Sequence, residues 1–469
     1  MAASARVPAD RGDAGSRGPG GVAGALYPSY SRAYEPEAVA GRAFSLDRLA
    51  LYLSVPSISF EFHPASPWPD VRLDRPLVPV GNGEWDEARL QGEFARAVER
   101  CIGNARRPAV LFSGGLDSGA VLCYAARHCA ATGARLVALL IDMIDDAGVR
   151  SSTVALRLLD ELDVDCELYS LDAEMMDGWQ QPQSAPWSPV GPRIGGIPHL
   201  LGRINAVAEE FGCDVLLTGD GSDELLGAPR FIGVPLARHP RTLARYLQDV
   251  WSAGRWAALR MEALAALARV MPRHAAARLY WTCLWPELCD LTPTPALADA
   301  YRSHVETWSA DWLQEILDWH AAEHGGGWHR ADAWDACFPV DDDLSHFANG
   351  AVPERAPFLD PAFVRYGLGL NSAERYDADL PNEYHRRKAP VISLYPPAQR
   401  AVLPTVKQLY GDGLARHERA RVRTLERSVA LGLVDAERAA GVTNAAVLGR
   451  LQAVEDWIRS AEEAGAHGA

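Results

Sequence analysis

The strongest constraint in this sequence is an alternation of short apolar runs with helical patterns between residues 86 and 218. The run PAVLF is followed by RLVALLID, CELYSLD and CDVLLTGD, and a segment with helical spacing separates each run from the next. Such alternation is typical of a parallel sheet with helices on both faces. Ligands of these folds bind at the carboxyl ends of the strands. We therefore predict an α/β fold with its site at that edge.

The rest of the 469-residue chain divides into less regular parts. Residues 1–25 are rich in Gly, Ala and Arg and lack a compact apolar segment, which predicts a disordered tail rather than a signal peptide. Residues 26–90 hold one modest apolar segment, FSLDRLALYLS, and are too short for a full domain. Residues 236–345 are rich in Ala, Arg, Leu and Trp at helical spacing, which predicts a large helical region.

The net charge and the cysteine pattern indicate which binding partners and which cellular compartment suit this protein. The formal net charge is -15, which argues against a surface built for phosphate backbones. No run approaches the ~18 apolar residues of a membrane helix. Eight cysteines are scattered without any CxxC pair, as in a protein with reduced thiols. We predict a cytoplasmic protein with neither a nucleic acid nor a membrane as partner.

A glycine-rich loop, SGGLDSG (Ser113–Gly119), lies where the first strand ends and a helix begins. Glycines there let backbone N–H groups turn towards an anion, and the helix N-terminus adds partial positive charge. The lysine of the GxxxxGK[ST] loop is missing. A carboxylate, Asp117, beside phosphate makes sense when a divalent metal lies between them.

A second loop, TGDGSDELLG, follows the fourth predicted strand and carries Asp220, Asp223 and Glu224. Because both loops follow parallel strands, they are expected at the same sheet edge. Two carboxylate-bearing loops at one edge suit a shared magnesium site on a polyphosphate. Either loop alone is also consistent with a plain strand-to-helix turn.

Together, in this order, the two loops resemble the signatures of one family. SGGLDS resembles the pyrophosphate loop of the N-type ATP pyrophosphatases, and TGDGSDELLG resembles the second signature of the asparagine synthetase-like branch. ERAPFLDPAFVRYGLGL is similar to that family's Arg-Pro-Phe-Leu-Asp segment, and the region from Lys388 to VLPTVKQLYGDG resembles the one that holds its late lysines. The matches run in family order from about 108 to 410.

The resemblance implies an adenine nucleotide α-hydrolase-like (HUP-type) fold, with residues 91–469 as the synthetase domain. It implies that ATP and Mg²⁺ activate a substrate carboxylate as an acyl-adenylate, and that an amine then attacks. Asp117 and Asp223 would bind Mg²⁺, Lys407 would stabilise charge in amide formation, and Lys388 would lie near the pyrophosphate. The pyrophosphate loop would comprise Ser113, Gly114, Gly115, Leu116, Asp117 and Ser118, while Leu111, Gly219 and Asp220 would line the nucleotide and adenylate.

The sequence also departs from the family pattern. Glutamine-dependent members carry a catalytic cysteine directly after the initiator methionine, where this sequence has Ala2. Residues 26–90 therefore resemble a short relic of the amidotransferase domain. The family's glutamate two residues before the arginine of its third segment is replaced by Pro353, and Glu354 stands next to Arg355. In the lactam-forming relatives that glutamate supports a catalytic tyrosine, so the sequence leaves open whether a proton relay of that kind operates here.

These features predict an AMP- and pyrophosphate-forming amide ligase. Its partners would be a small-molecule or peptide carboxylate and an amine donor, with a separate leader-binding or amine-supplying protein as a further option. Macrolactam closure of a lasso-type peptide and amide formation in a small natural product both fit. Ammonia-dependent asparagine synthesis, a tRNA-modifying ATP pyrophosphatase and a non-catalytic scaffold are the alternatives. The net charge and the absence of CxxC count against the tRNA-modifying alternative.

Overall fold

The structure, a computed structural model, describes residues 39–54, 67–68, 86–173, 191–192, 198–229, 231–268, 270–284, 291–324, 350–421 and 423–469. The predicted tail at 1–25 lies outside these residues. The strands are, in chain order, β1 (Ala43–Phe44), β2 (Pro108–Leu111), β3 (Val137–Asp142), β4 (Glu167–Asp172), β5 (Val215–Leu217), β6 (Glu354–Arg355) and β7 (His467–Gly468).

Helices make up most of the remaining described chain. In chain order they are α1 (Leu46–Ser54), α2 (Glu87–Ile102), α3 (Leu116–Thr132), α4 (Ser151–Leu162), α5 (Pro198–Glu210), α6 (Ser222–Leu226), α7 (Gly233–Leu236), α8 (Pro240–Ala268), α9 (Arg273–Leu284), α10 (Asp299–His324), α11 (Pro361–Gly369), α12 (Glu383–Arg387), α13 (Ala389–Ser393), α14 (Gly411–Ala420), α15 (Glu426–Ala430), α16 (Ala436–Ala440) and α17 (Ala445–Glu463).

The central sheet has five parallel strands in the order β4-β3-β2-β5-β6. The four predicted strands are β2, β3, β4 and β5. The strands β3 and β4 lie on one side of β2, whereas β5 and β6 lie on its other side. The strand order therefore reverses between β2 and β5. The crevice outside the carboxyl ends of strands at such a point is where open α/β sheets bind their ligands.

Helices cover both faces of this sheet, as predicted. On one face Val110 and Leu140 pack into the large core that also contains residues of α2, α3 and α4. On the other face Ala109 and Leu139 pack against Ile204 and Ala208 of α5. Alternate residues of one strand therefore enter different cores, which explains why the strands read as continuous apolar runs.

The strand β6 was not predicted from the sequence. It has only two residues, Glu354 and Arg355, which lie in register with Leu216 and Leu217 of β5. A run that short carries no periodicity of its own, so its pairing depends on the neighbouring strand. It brings the ERAPFLD segment to the edge of the sheet next to β5.

The N-terminal described segment packs against the C-terminal helix. The strand β1 pairs with β7, and Phe44 and Trp68 both contact the Trp457 ring of α17, at centroid distances of 5.3 and 5.6 Å. The Arg450 guanidinium donates to the Leu53 carbonyl at 3.0 Å. Residues 39–54 thus share the main core. The domain boundary between residues 90 and 91, which falls within α2, stays a prediction.

Within the predicted helical region, the described residues form α8, α9 and α10 between 240 and 324. The two halves of α8 meet at Arg255, whose φ of 49° and ψ of −132° are not helical. Residues 325–349 lie outside the described part. None of the described helices is long and apolar enough to cross a membrane.

Candidate active site

The first loop joins β2 to α3 and lies at the point where the strand order reverses. Gly114 has a φ of 78°, and a Cβ on it would lie 3.0 Å from the Ala155 nitrogen of α4, so only glycine fits there. The backbone N–H of Ser113 donates to Ser118 Oγ, and that of Gly115 donates to Ser113 Oγ. The loop thus places hydroxyls and N–H groups around the start of α3, which suits an anion.

The second loop follows β5 and packs directly on the first. A Cβ on Gly219 would lie 3.0 Å from the Ser118 nitrogen and 3.2 Å from the Asp117 carbonyl carbon. The Ser222 hydroxyl donates to Asp117 Oδ1, and Thr218 donates to Asp220 Oδ2 at 2.8 Å. The two loops therefore form one site, as expected from their position after neighbouring strands.

Two lysines close the site from the C-terminal part of the chain. Lys388, which is only 3% exposed, places its Nζ 2.6 Å from Asp117 Oδ1 and 2.7 Å from Asp223 Oδ1. Lys407, whose side chain is half exposed, lies 2.8 Å from Asp223 Oδ2. The structure thus joins four charged residues that are up to 290 positions apart in sequence, Asp117, Asp223, Lys388 and Lys407.

These charges set the protonation of the site. Burial opposes ionisation of Asp223, but the Lys388 and Lys407 ammonium groups outweigh it and lower the pKa of this carboxyl. Burial raises the pKa of Tyr384 well above its ordinary value, and the nearby charges of Asp117 and Asp223 raise it further. Near neutral pH the site therefore combines an ionised aspartate with a protonated tyrosine.

Buried polar contacts fix the backbone turn that carries Lys388. Arg386, two residues earlier, makes a bidentate ion pair with Asp249 of α8, at 2.7 Å for both bonds, and both side chains are buried. The Tyr376 hydroxyl donates to the same carboxylate at 2.6 Å. His385 Nε2 lies 2.8 Å from the Pro404 carbonyl, which ties α12 to the segment that carries Lys407. These contacts preorganise the short α12–α13 turn.

The donor set at the centre of the site fits a magnesium ion. One Lys388 ammonium hydrogen-bonds an oxygen of each carboxylate, so Asp117 and Asp223 already converge on a single cation. Mg²⁺ prefers hard oxygen ligands and is commonly held by one or two carboxylates plus phosphate and water. In the described part of the chain, no three His, Cys, Asp or Glu side chains form a metal-binding group. The remaining ligands of a magnesium ion here would include phosphate and water.

The other predicted residues lie around this centre in different ways. Leu111 ends β2 and is partly exposed. The Leu116 side chain is fully buried in the core, so it can serve a ligand only through its backbone, and its carbonyl accepts the Tyr395 hydroxyl. Asp220 is bonded to Thr218 on the second loop.

Several functional contacts were missed by the sequence reasoning. Ser222, Tyr384 and Tyr395 surround the first loop, and Tyr395 Oη would clash at 2.5 Å with a Cβ on Gly119. Ser222 lies within the quoted TGDGSDELLG motif, so its hydroxyl beside Asp223 was a usable signal. Tyr384 and Tyr395 lie on either side of Lys388 and belong to neither loop motif, so only the tertiary contacts identify them.

The altered third segment directs its glutamate away from the loops. Glu354 lies in register with Leu216, whose side chain packs on the α5 face of the sheet. The Asn205 side chain of α5 donates to Glu354 Oε1 at 2.9 Å, and Glu354 is buried. The loops instead meet at the strand ends. Glu354 therefore contacts α5 through Asn205.

A groove of about 850 Å³ opens beside Lys407. It lies between the 145–149 loop, the start of α4 and residues 401–409. Its apolar lining includes Val149 and Val406, which are 41% and 73% exposed. The groove is also lined by Arg157, Asp145 and Asp146. Its apolar surface beside Lys407 suits the apolar part of a ligand.

Comparison with known proteins identifies the family. The sequence model of the asparagine synthase family matches residues 89–457, which span both loops, the third segment and both lysines. The chain belongs to the asparagine synthase family. Membership in it makes this protein an ATP-using enzyme of the ligase type.

Other comparisons add little to this assignment. No curated protein matches the chain significantly. One solved structure, the U34-tRNA thiolase NcsA from Methanococcus maripaludis with its [4Fe-4S] cluster, is 15% identical. The similarity covers 55% of this chain and 85% of that chain, with a TM-score of 0.23.

Proposed function

We propose that this protein adenylates a substrate carboxylate with ATP, releases pyrophosphate and transfers the acyl group to an amine. One observation carries the proposal. Asp117, Asp223, Lys388 and Lys407 converge beside a glycine- and serine-rich loop at the point where the strand order reverses. Nucleotidyl transfer needs positioning and charge neutralisation more than covalent help from the protein, and this arrangement suits both.

In the proposed complex, the Ser113–Ser118 loop and the start of α3 hold the β- and γ-phosphates of ATP. Leu111, Gly219 and Asp220 line the nucleotide. Asp117 and Asp223 hold Mg²⁺, which neutralises charge on the phosphates when bound. Lys388 leaves its position between the two carboxylates and pairs with the phosphates.

The chemistry then proceeds in two steps. A carboxylate oxygen of the substrate bonds to the α-phosphorus, while the bond from that phosphorus to the bridging oxygen breaks and pyrophosphate leaves. The amine nitrogen next attacks the acyl carbon, AMP leaves with the former carboxylate oxygen, and the amine releases a proton. Lys407 stabilises the oxyanion of the second step, because its flexible, half-exposed ammonium can reach a substrate beside Asp223.

We propose further that the substrate belongs to natural-product biosynthesis, as a lasso-type peptide closed to a macrolactam or as a small-molecule amide or lactam. The apolar groove beside Lys407 supports a substrate larger than aspartate. The bond between Glu354 and Asn205 supports a site without the family's glutamate-assisted relay.

Carboxylate-dependent exchange between labelled pyrophosphate and ATP tests this function. The protein would be incubated with ATP, Mg²⁺, labelled pyrophosphate and single acids from a panel of aspartate, glutamate, small acids and acidic peptides, without amine. Label entering ATP with one acid would support reversible adenylation and name the acyl substrate. An acid that gives ADP and phosphate would contradict the proposal.

A further inference from the structure

The second half of α8 exposes an apolar surface that the site does not use. After the bend at Arg255, the exposed positions Trp256, Arg260, Ala263 and Leu267 recur every three or four residues and so lie on one helix face. Trp256 and Leu267 are 75% and 51% exposed. We call the α8 stripe the set Trp251, Trp256, Arg260, Ala263, Leu267 and Val270.

The two tryptophans of the α8 stripe form a projecting pair. Trp251, before the bend, contacts Trp256, after it, edge to face at 5.1 Å. All residues from 251 to 257 are exposed, and Val270, just beyond α8, is 81% exposed. Exposed apolar residues that form one continuous surface mark interaction sites, whereas scattered ones need no explanation. Tryptophan and arginine are also the residues most enriched at the energetic centres of interfaces.

The surroundings of the stripe are strongly basic in an otherwise acidic protein. Residues 231–284 contain eight arginines, no lysine and only two carboxylates, in a chain of net charge -15. Both carboxylates are engaged internally, because Asp249 binds Arg386 and Glu262 accepts the Tyr246 hydroxyl. Within residues 231–284, the described arginines that are exposed are Arg238, Arg241, Arg255, Arg260, Arg273 and Arg278.

We propose that the α8 stripe docks an acidic polypeptide partner with an apolar face. A partner that fits this surface would place carboxylates opposite the exposed arginines and apolar side chains against the Trp256–Leu267 face. A second copy docked stripe to stripe would place arginines against arginines, which disfavours self-association through this face. Arg260 lies within the apolar row, where a carboxylate on a structured partner suits it better than the interior of a lipid layer.

The partner would dock on a helix that is tied to the active site. Asp249 precedes the bend by six residues and pairs with Arg386, which stands two residues before Lys388. A protein bound at the stripe is therefore placed on the element that positions the catalytic region. The docking surface itself does not depend on the proposed chemistry.

Two designed peptides test the docking proposal. Each is a labelled 18-residue helix with leucines on one face, and glutamates flank that face in one peptide and lysines in its twin. Fluorescence anisotropy in physiological salt is expected to show at least about tenfold tighter binding of the glutamate peptide. Trp256→Ala should weaken that binding about tenfold or more. Arg260→Glu should weaken it as well and strengthen binding of the lysine twin, which a merely structural role of Arg260 cannot produce.

The test includes matched control variants and measurements for other occupants of the α8 stripe. Val429→Ala and Arg135→Glu change an exposed apolar residue and an exposed arginine elsewhere, and should leave binding unchanged. Circular dichroism checks that each variant is folded. The proposal is overturned if neither peptide binds more tightly than about 1 mM, or if the stripe variants bind like wild type. It is also overturned if only anionic phospholipid vesicles bind, or if sedimentation shows a dimer that Trp256→Ala abolishes.

Discussion

The Lys388 ammonium lies between Asp117 and Asp223, 2.6 Å from one carboxylate and 2.7 Å from the other. An internal cation thus occupies the position between two hard oxygen ligands. The two carboxylates would otherwise repel each other, because like charges that share a site disfavour joint ionisation. Lys388 and a metal ion therefore serve the same electrostatic need and are expected to exchange there.

Replacement of Lys388 by methionine should destabilise the protein in the absence of metal. Breaking a buried ion pair costs about 3–5 kcal/mol, and the lower end applies because the Asp223 side chain is 47% exposed. Added Mg²⁺ should recover part of this loss, since it neutralises the same two carboxylates. Thermal unfolding with and without Mg²⁺ is expected to show a larger upward shift of Tm for Lys388→Met than for wild type.

Lys407→Met is the matched control for that experiment. Lys407 pairs with the same Asp223 but its side chain is 53% exposed, so its loss should cost less than about 1 kcal/mol. Equal Mg²⁺ shifts in wild type and both variants would show that Lys388 does not compete with the metal.

Asp117→Ala and Lys407→Ala should separate the two steps of the proposed reaction. Asp117 belongs to the Ser113–Ser118 loop and accepts a hydrogen bond from Lys388, so its loss should abolish pyrophosphate–ATP exchange. Lys407 is assigned to amide formation, so its loss should spare exchange and slow product formation by roughly 10²–10³-fold, as for the loss of an oxyanion donor. Unchanged product yield in Lys407→Ala would show that this assignment is wrong.

Gly219→Ala should separate the two loops and weaken nucleotide binding. The added methyl group would lie 3.0 Å from the Ser118 nitrogen, and backbone atoms cannot move aside cheaply. Isothermal titration with ATP and Mg²⁺ is expected to show a loss of at least tenfold in affinity. Gly92→Ala in α2 is the control, because its Cβ meets only the flexible end of Arg96 and should stabilise the helix by about 0.5–1 kcal/mol. Equal ATP affinity in both variants would contradict the close packing of the loops.

His385 should make stability depend on pH below neutrality. Burial lowers its pKa from the ordinary 6.5, although its contact with the Pro404 carbonyl acts in the opposite direction. The pKa of His385 is lower in the folded state than in the unfolded state. The contribution of its neutral imidazole to the free energy of unfolding is therefore present above pH 6.5 and is lost as the pH falls below 6.5. Urea unfolding at pH 8 and pH 5.5 should show a smaller loss of stability in His385→Gln than in wild type. The same loss in both proteins would rule out His385 as its source.

The strands and both loops were predictable because their signals are local. Apolar runs that end in Ser113 or Gly219 carry strand and turn information within a few residues. Both loops follow parallel strands and were therefore expected at one sheet edge, whereas the pairing that makes β2 and β5 neighbours comes from the structure. The roles of Asp117 and Asp223 rested on this logic and on the family resemblance.

The rest of the site depends on contacts that no local pattern encodes. Lys388 lies in the sequence NEYHRRKAP, which reads like an exposed basic turn, yet the structure buries it. Its burial follows from the carboxylates that face it and from the Arg386–Asp249 pair, which joins residues 137 positions apart. The strand β6 likewise depends on a long-range contact, since its two residues gain their conformation only from pairing with β5.

In the proposed function, the two loops and the two lysines form a site for adenylation. The most direct measurement uses ATP labelled at the α-phosphorus, with Mg²⁺, the acid identified by exchange and an amine, and separates the labelled products. Adenylation should give labelled AMP that depends on the acid and disappears in Asp117→Ala. Labelled ADP in place of AMP would contradict it.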